Sequence, residues 1–306
     1  ISYFIGGFIM NDFLTRLIPG FIYVLLLIGS LLYSQFLFVL LMFLFCLIII
    51  FEYGKVLRND NVHLNSIKVK NKLTEINKKN LFFYTEFTPL LFLISLFILG
   101  IIVTFNSSGL NTYFQYVIFF VVLINSFMMI GFVFKGKELF SDKRFMKTWP
   151  LIGVVGSFLL IIYSSLIYDY SQFKLFFIYY LILIWGVDSV GYFVGNNFGK
   201  NKLYESLSPN KTIEGAAGSI IFSIAYSFII SSYFNSDILF SIILCLITAS
   251  FAIFGDLVQS KIKRELDIKD FGNLLKGHGG LYDRLDSIIF SFPFIYLMLT
   301  IYIYVS

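Results

Sequence analysis

Residues 256–286 read D-L-V-Q-S-K-I-K-R-E-L-D-I-K-D-F-G-N-L-L-K-G-H-G-G-L-Y-D-R-L-D, and apolar runs at 238–255 and 285–305 flank them. Each flanking run is long enough to cross the hydrocarbon of a bilayer as a helix, which takes roughly 17 to 25 residues. A polar island between two such runs reads as a loop at a membrane face. The rest of the chain repeats the pattern, with further apolar runs at 17–33, 36–51, 87–105, 113–134, 149–168, 175–194 and 214–234. A lipid-exposed backbone must satisfy its own hydrogen bonds within each segment, so the runs read as helices and not as isolated strands. The expected fold is therefore an all-α integral membrane protein of about nine transmembrane helices. The first two runs, separated only by Ser34 and Gln35, predict a tight helical hairpin.

Composition supports this reading. The 306 residues are 58% hydrophobic, 20% aromatic and 13% charged, with a net charge of +5, whereas soluble domains average about 25% charged. Mean hydropathy is +0.85. Cys46 and Cys245 lie inside apolar runs and read as small hydrophobes, with no disulfide framework implied. Ile1 is not a methionine, and Met10 is followed by N-D-F-L-T-R, so translation is expected to begin at Met10 or the N-terminus to be incomplete. No cleavable signal peptide is expected, because the first apolar run continues to the length of a full span.

The distribution of the cations orients the chain. With the N-terminus cytoplasmic, the inner segments hold Arg16 and the Lys and Arg residues of 55–79, 135–147, 200–211 and 261–284, which is 22 of the 23; only Lys174 falls outside. That asymmetry predicts the N-terminus in and the C-terminus out. Basic loops facing anionic lipid account for the positive balance, so no nucleic-acid partner is needed. The outer segments are short and nearly uncharged, leaving the polar material on the cytoplasmic side. The longest inner segment, 55–80, reads as a solvated loop or a short surface element without chemistry. Pro19, Pro89 and Pro150 stand near the starts of spans, where a missing N–H costs little, and Pro293 predicts a kink in the last one.

Several polar residues sit where a membrane does not tolerate them cheaply. Asp188 interrupts the sixth span, some thirteen residues from its outer end. A carboxylate in such a place costs roughly 2.5–3.5 kcal/mol, so it should face the bundle interior and have a partner. It reads either as a site residue or as a buried Asp bonded to Ser189 or Tyr192. Gly191, Gly195 and Gly199 recur every four residues on one helical face, which permits close helix packing. The segment S-P-N-K-T-I-E-G, 208–215, delivers Glu214 to the mouth of the seventh span. It is compatible with an ordinary helix start, and equally with Lys211 and Thr212 holding phosphate oxygens beside a helix N-terminus.

The carboxylates of Asp256, Asp283 and Asp286, with Asp188, are expected to meet at one depth on the cytoplasmic side. Asp283 and Asp286, at i and i+3, share a helical face. Crowded like charges near low dielectric imply either raised pKa values or a neutralising cation, and with oxygen donors alone that cation is Mg²⁺. Zinc is not expected, since the chain has two His, His63 and His278. His278, within Gly277-His278-Gly279-Gly280, reads either as a general base or phosphate donor or as the filling of a tight turn. Lys261, Lys263, Arg264 and Lys269 stand in the same island. Carboxylates beside phosphate-binding cations point to phosphoryl or nucleotidyl transfer. An ion-coupled transporter would place its ionisable residues at mid-depth in two related halves, and no such repeat is visible.

Ser260-x-x-Lys263-Arg264, Lys269-Asp270 and Gly277-His278-Gly279-Gly280-x-x-Asp283-Arg284-x-Asp286 resemble the diagnostic pattern of phosphatidate cytidylyltransferases, also called CDP-diacylglycerol synthases. The resemblance extends to Asp188 with Gly191-Tyr192-Phe193, to Ser208-Pro209, Lys211-Thr212 and Glu214-Gly215, and to Gly255-Asp256. It covers the C-terminal half, whereas the N-terminal half matches only in its apolar character. Two positions depart from the pattern. Lys276 stands where the family usually has Pro, and Asn210 where a Lys is common.

The resemblance implies conversion of CTP and phosphatidic acid to CDP-diacylglycerol and pyrophosphate by a Mg²⁺-dependent, multispan, homodimeric enzyme of the inner membrane. It leaves open a second cation such as K⁺. Carried onto this chain, the metal-binding carboxylates fall on Asp256 and Asp283. With them, Asp286 is expected at the metal, Asp188 and Glu214 in supporting or second-cation roles, and Lys263 and Arg264 at the transferred phosphate. Ser208, Lys211, Thr212, Ser260, Lys269, His278, Gly279, Gly280 and Arg284 are the expected substrate-binding residues. Residues 1–170 are expected to form a packing bundle, and 171–306 the catalytic region. A related CTP-dependent enzyme acting on an isoprenoid lipid is the alternative.

Overall fold

The computed structural model describes residues 22–68, 110–135, 149–272 and 279–305. Eight helices appear among them: α1 (Ile22–Tyr33), α2 (Gln35–Lys68), α3 (Leu110–Lys135), α4 (Pro150–Ile167), α5 (Tyr170–Phe198), α6 (Ile213–Phe234), α7 (Ile238–Glu265) and α8 (Tyr282–Val305). Seven of these, α2 to α8, contain a stretch long and apolar enough to cross a membrane, and α1 is a shorter apolar helix. The expected span at 87–105 lies outside the described residues. The protein is thus a multi-pass, helical membrane protein. The departure from all-α is a two-stranded antiparallel hairpin between α5 and α6, β1 (Lys202–Tyr204) and β2 (Ser208–Thr212), paired Lys202 to Thr212 and Tyr204 to Ser208. It falls between two spans, where the backbone is no longer restricted to helix. Each strand keeps one open edge, so Pro209, which has no N–H to donate, is tolerated.

Two compact units form: Ile1–Asn106 with Glu265–Arg284, and Ser107–Arg264 with Leu285–Ser306. In the first unit, Ser34 separates α1 from α2, and its hydroxyl accepts a hydrogen bond from Leu37 N at 3.2 Å, capping α2. The rings of Tyr23 and Phe45, each eleven residues from Ser34, lie with centroids 6.2 Å apart. In one continuous helix they would stand about 33 Å apart at about 1.5 Å per residue. The two helices therefore fold back at Ser34, as the short S-Q junction predicts. Beyond its apolar stretch α2 continues to Lys68, where the sequence reads as a loop. No proline interrupts 55–68, and Lys55, Leu57 and Arg58 are good helix formers, so the helix carries on past its apolar run.

The second unit is built around α5. Its N-cap, Asp169, accepts hydrogen bonds from Ser171 N at 2.9 Å and Gln172 N at 3.1 Å, and the Ser171 hydroxyl holds its carboxyl below the usual range. Leu183 and Val187 pack with Tyr226 and Ile230 of α6 and with Cys245, Ala249 and Ala252 of α7. Small residues bring α5 and α6 together. A methyl group on Gly215 would stand 2.6 Å from Gly191 O, and one on Gly191 2.6 Å from Ser219 Oγ. The Ser219 hydroxyl donates to Val187 O at 2.6 Å across the same seam. The glycine face read from the sequence is thus a helix–helix contact of the close, small-residue kind.

Tyr180 ties α5 to α8, its hydroxyl donating to Ile288 O at 3.0 Å and lying 2.8 Å from Ser291 Oγ. Pro150 occupies the first turn of α4, where no N–H is missed. The last helix runs on through Pro293. Cys46 and Cys245 are free and buried. Large side chains such as Phe193, Ile221 and Phe228 are exposed at 58% or more, which suits hydrocarbon solvent better than water.

Candidate active site

Three helix segments and one strand carry the charged cluster of the second unit. Asp188 lies eighteen residues beyond the start of α5 at Tyr170, or about 27 Å along the helix. Asp256 lies in the C-terminal half of α7 and Asp286 in the first turns of α8. The small residue beside Asp256 sets their approach. A methyl on Gly255 would stand 3.1 Å from Asp286 O and 2.7 Å from Phe290 Cβ, so glycine lets α8 lie against α7 at this level. Asp286 is within Coulombic range of Asp256, Asp188 and Lys263, and Asp188 is within range of Lys211 and Asp256.

Lys211 supplies a cation from outside the helices. It projects from β2, and its ammonium forms an ion pair with the Asp256 carboxylate, both side chains being partly exposed. Ser260, one turn after Asp256, offers its hydroxyl to Asp256 Oδ1 at 3.5 Å. Lys263 and Arg264 occupy the last turn of α7, where cations favour the helix dipole.

Neighbouring predicted residues have local structural partners. Thr212 is buried and caps α6, its Oγ1 accepting from Gly215 N at 3.1 Å. Glu214, in the first turn of α6, accepts from Asn201 Nδ2 at 2.8 Å and from Asn201 N at 3.2 Å. These bonds fasten the end of the β-hairpin to the start of α6, together with the 2.9 Å bond from Ile213 N to Asn201 O. Ser208 opens β2.

The first unit holds a second constellation, on the segment following α7. Asp283 Oδ2 accepts hydrogen bonds from Phe271 N and Gly280 N, both at 2.9 Å, closing the loop onto the start of α8. Gly279 adopts φ +82°, a left-handed conformation that a side chain would strain. Lys269 and Arg284 are exposed. His278 lies outside the described residues. Sequence reasoning missed Glu52, which ends the apolar stretch of α2 and reaches this segment; the one signal was a lone carboxylate directly after a long apolar run.

Among the described residues, no three His, Cys, Asp or Glu side chains converge into a ready-made metal site. The donors that do gather around Asp256 are carboxylates. That suits Mg²⁺, which is usually held by one or two carboxylates with water and substrate phosphate oxygens completing the shell. It does not suit a metal needing four protein ligands of nitrogen or sulfur.

Residues 14–302 match the cytidylyltransferase family. The chain belongs to this family. Its relatives include the phosphatidate cytidylyltransferase of Bacillus subtilis, 44% identical over 136 residues, 43% of this chain and 50% of that protein. The phosphatidate cytidylyltransferase of Aquifex aeolicus is 34% identical over 183 residues, covering 58% of this chain and 70% of the relative. That of Haemophilus influenzae is 39% identical over 123 residues, 38% of this chain and 43% of the relative. The chain thus spans from under half to about two thirds of the length of these curated relatives. For a member of the cytidylyltransferase family, a lysine paired with a carboxylate is a fitting arrangement, since an ammonium can hold a phosphate oxygen.

Proposed function

We propose that the protein transfers a cytidylyl group from CTP to phosphatidic acid, giving CDP-diacylglycerol and pyrophosphate for phospholipid synthesis. The observation that carries this reading is the pairing of Lys211 with Asp256 beside Asp188 and Asp286, in a chain of the cytidylyltransferase family. A phosphate oxygen of phosphatidic acid forms the new bond to the α-phosphorus of CTP. The bond from that phosphorus to the bridging oxygen breaks, and pyrophosphate leaves with the electron pair.

Both reactants are polyanions at a membrane face. Lys211, Lys263, Arg264 and Arg284 are the proposed phosphate clamps, holding charge on the substrates in place and orienting the attack. Ser260, Ser208, Thr212, Lys269 and the glycine turn with His278 are the proposed remaining substrate contacts. By the sequence resemblance, Asp256, Asp283 and Asp286 are the proposed holders of Mg²⁺, which when bound screens the phosphate charges and stabilises charge on the transferring group. Asp188 and Glu214 take supporting roles, with a second cation such as K⁺ as an addition.

The basic segments 200–211 and 261–284 that carry these residues support a cytoplasmic site in the inner membrane, with nine spans, the N-terminus inside and the C-terminus outside. The acyl chains of the lipid substrate stay in the bilayer. A homodimer rests on the family resemblance.

The test supplies membranes containing the protein with labelled CTP, Mg²⁺ and one acceptor at a time: phosphatidic acid, an isoprenoid glycerophosphate or a polyprenyl phosphate. Label in the lipid extract with phosphatidic acid alone supports the reading. Preference for an isoprenoid acceptor replaces the substrate while keeping the chemistry.

A further inference from the structure

Glu52 stands midway along α2, directly after sixteen residues, 36–51, without a charge. Its carboxylate accepts hydrogen bonds from Leu281 N at 3.1 Å and Tyr282 N at 3.3 Å, 229 and 230 residues further along the chain. These are N–H groups at the beginning of α8, which no backbone carbonyl within that helix can satisfy. A carboxylate there also favours the positive end of the helix dipole.

The contact is closely fitted. A methyl on Gly272 would stand 2.5 Å from Glu52 Oε1, and one on Gly280 2.6 Å from Oε2, so glycines on both arms of the loop make room for the carboxylate. The next residue continues the attachment. Tyr53, fully buried, stacks on Phe271 at 5.2 Å and tilts against Tyr282 at 6.1 Å, and Phe271 meets Tyr282 at 4.7 Å. Asp283 then accepts from Phe271 N and Gly280 N. The N–H groups of Gly280, Leu281 and Tyr282 thus all donate to one of two carboxylates, and one of these comes from α2.

We infer that Glu52, seconded by Tyr53, is a positioning residue that holds the glycine turn and the start of α8, and with them Gly279, Gly280, Asp283 and Arg284, in their working arrangement. It touches no substrate itself. A carboxylate directly after an apolar run is costly to place beside hydrocarbon, and the two charge-assisted bonds offset this. The kinetic part of this inference rests on the proposed cytidylyl transfer, whereas the structural part does not.

The test compares wild type with Glu52→Gln and Gly272→Ala in detergent, by amide exchange across 279–284 and by CTP kinetics. Glutamine removes the charge and one acceptor oxygen; alanine at 272 displaces the carboxylate while leaving it present. Exchange at Leu281 and Tyr282 is expected to rise by at least about tenfold in both variants, as loss of a charge-assisted hydrogen bond implies, with α6 peptides unchanged. The turnover number is expected to fall by a similar factor, with KM for CTP moving less. Glu52→Asp, which keeps the charge, should recover part of both losses. Unchanged exchange at 279–284 overturns the attachment, and raised exchange with unchanged turnover overturns the positioning role. If wild type transfers no cytidylyl group, the functional reading fails and the exchange arm still decides the attachment.

Discussion

The ammonium of Lys211 pairs with the carboxylate of Asp256, joining a β-hairpin that lies between two spans to the end of a membrane helix. The pair brings a cation into a neighbourhood where Asp188 and Asp286 add two further carboxylates. Lys211→Met removes one of the cations acting on that negative charge, and Asp256→Asn removes the carboxylate that pairs with the lysine. Each is expected to lower turnover by at least about 100-fold, the scale of losing one group that stabilises transferred charge. Because the two residues act on one another, the double variant should lose far less than the product of the single losses. Initial-rate measurement on protein of matched yield and thermal midpoint checks this.

The proposed role of Asp256, Asp283 and Asp286 in holding Mg²⁺ makes activity metal-dependent. Chelation with EDTA should abolish label transfer, and added Mg²⁺ should restore it. Asp286→Asn should raise the Mg²⁺ concentration giving half-maximal rate by about tenfold or more, in the range seen when groups supporting a metal are altered. The readout is a Mg²⁺ titration of wild type and variant at saturating CTP.

Glu214 and Asn201 should behave as one fastening. Glu214 holds Asn201 through both its backbone and side-chain N–H groups, so Glu214→Gln and Asn201→Ala are each expected to cost activity by a similar, modest factor. Their combination should cost little more than either alone. If Glu214 instead contacts substrate, its loss will exceed that of Asn201→Ala by a wide margin.

The seam between α5 and α6 can be tested by stability. A methyl added at Gly215 meets the backbone carbonyl of Gly191 at 2.6 Å, an atom that cannot swing aside. Gly215→Ala should therefore destabilise the protein by about 1–3 kcal/mol. Gly29→Ala in α1, where nothing lies within 4 Å of the added methyl, should be neutral or stabilising by up to about 1 kcal/mol. Thermal unfolding in detergent, followed by circular dichroism, separates the two outcomes.

The helices were legible because each announces itself as an apolar run, and the close α5–α6 contact because Gly191 and Gly195 repeat at helical spacing. Of the four carboxylates expected together, Asp188, Asp256 and Asp286 fall in the second unit and are conspicuous inside or beside hydrocarbon-length segments, whereas Asp283 belongs to the first unit and accepts from Phe271 N and Gly280 N. The hairpin at 202–212 was not legible, since its five-residue second strand contains a proline and has no alternating pattern. Nor was the capping role of Thr212 separable from phosphate binding, because both use the same hydroxyl at a helix start. Glu52 escaped notice because its partners are 229 and 230 residues away, and no local pattern reports so distant a contact.

Cytidylyl transfer is decided by supplying purified protein, in lipid micelles containing phosphatidic acid, with Mg²⁺ and CTP labelled at its α-phosphate. Wild type should move the label into the organic-extractable lipid and release unlabelled pyrophosphate, while Asp256→Asn of equal thermal midpoint should transfer almost none. A well-folded wild type that leaves all label in the aqueous phase rules out the transfer, and an Asp256→Asn variant that labels lipid as fast as wild type rules out Asp256 as part of its site.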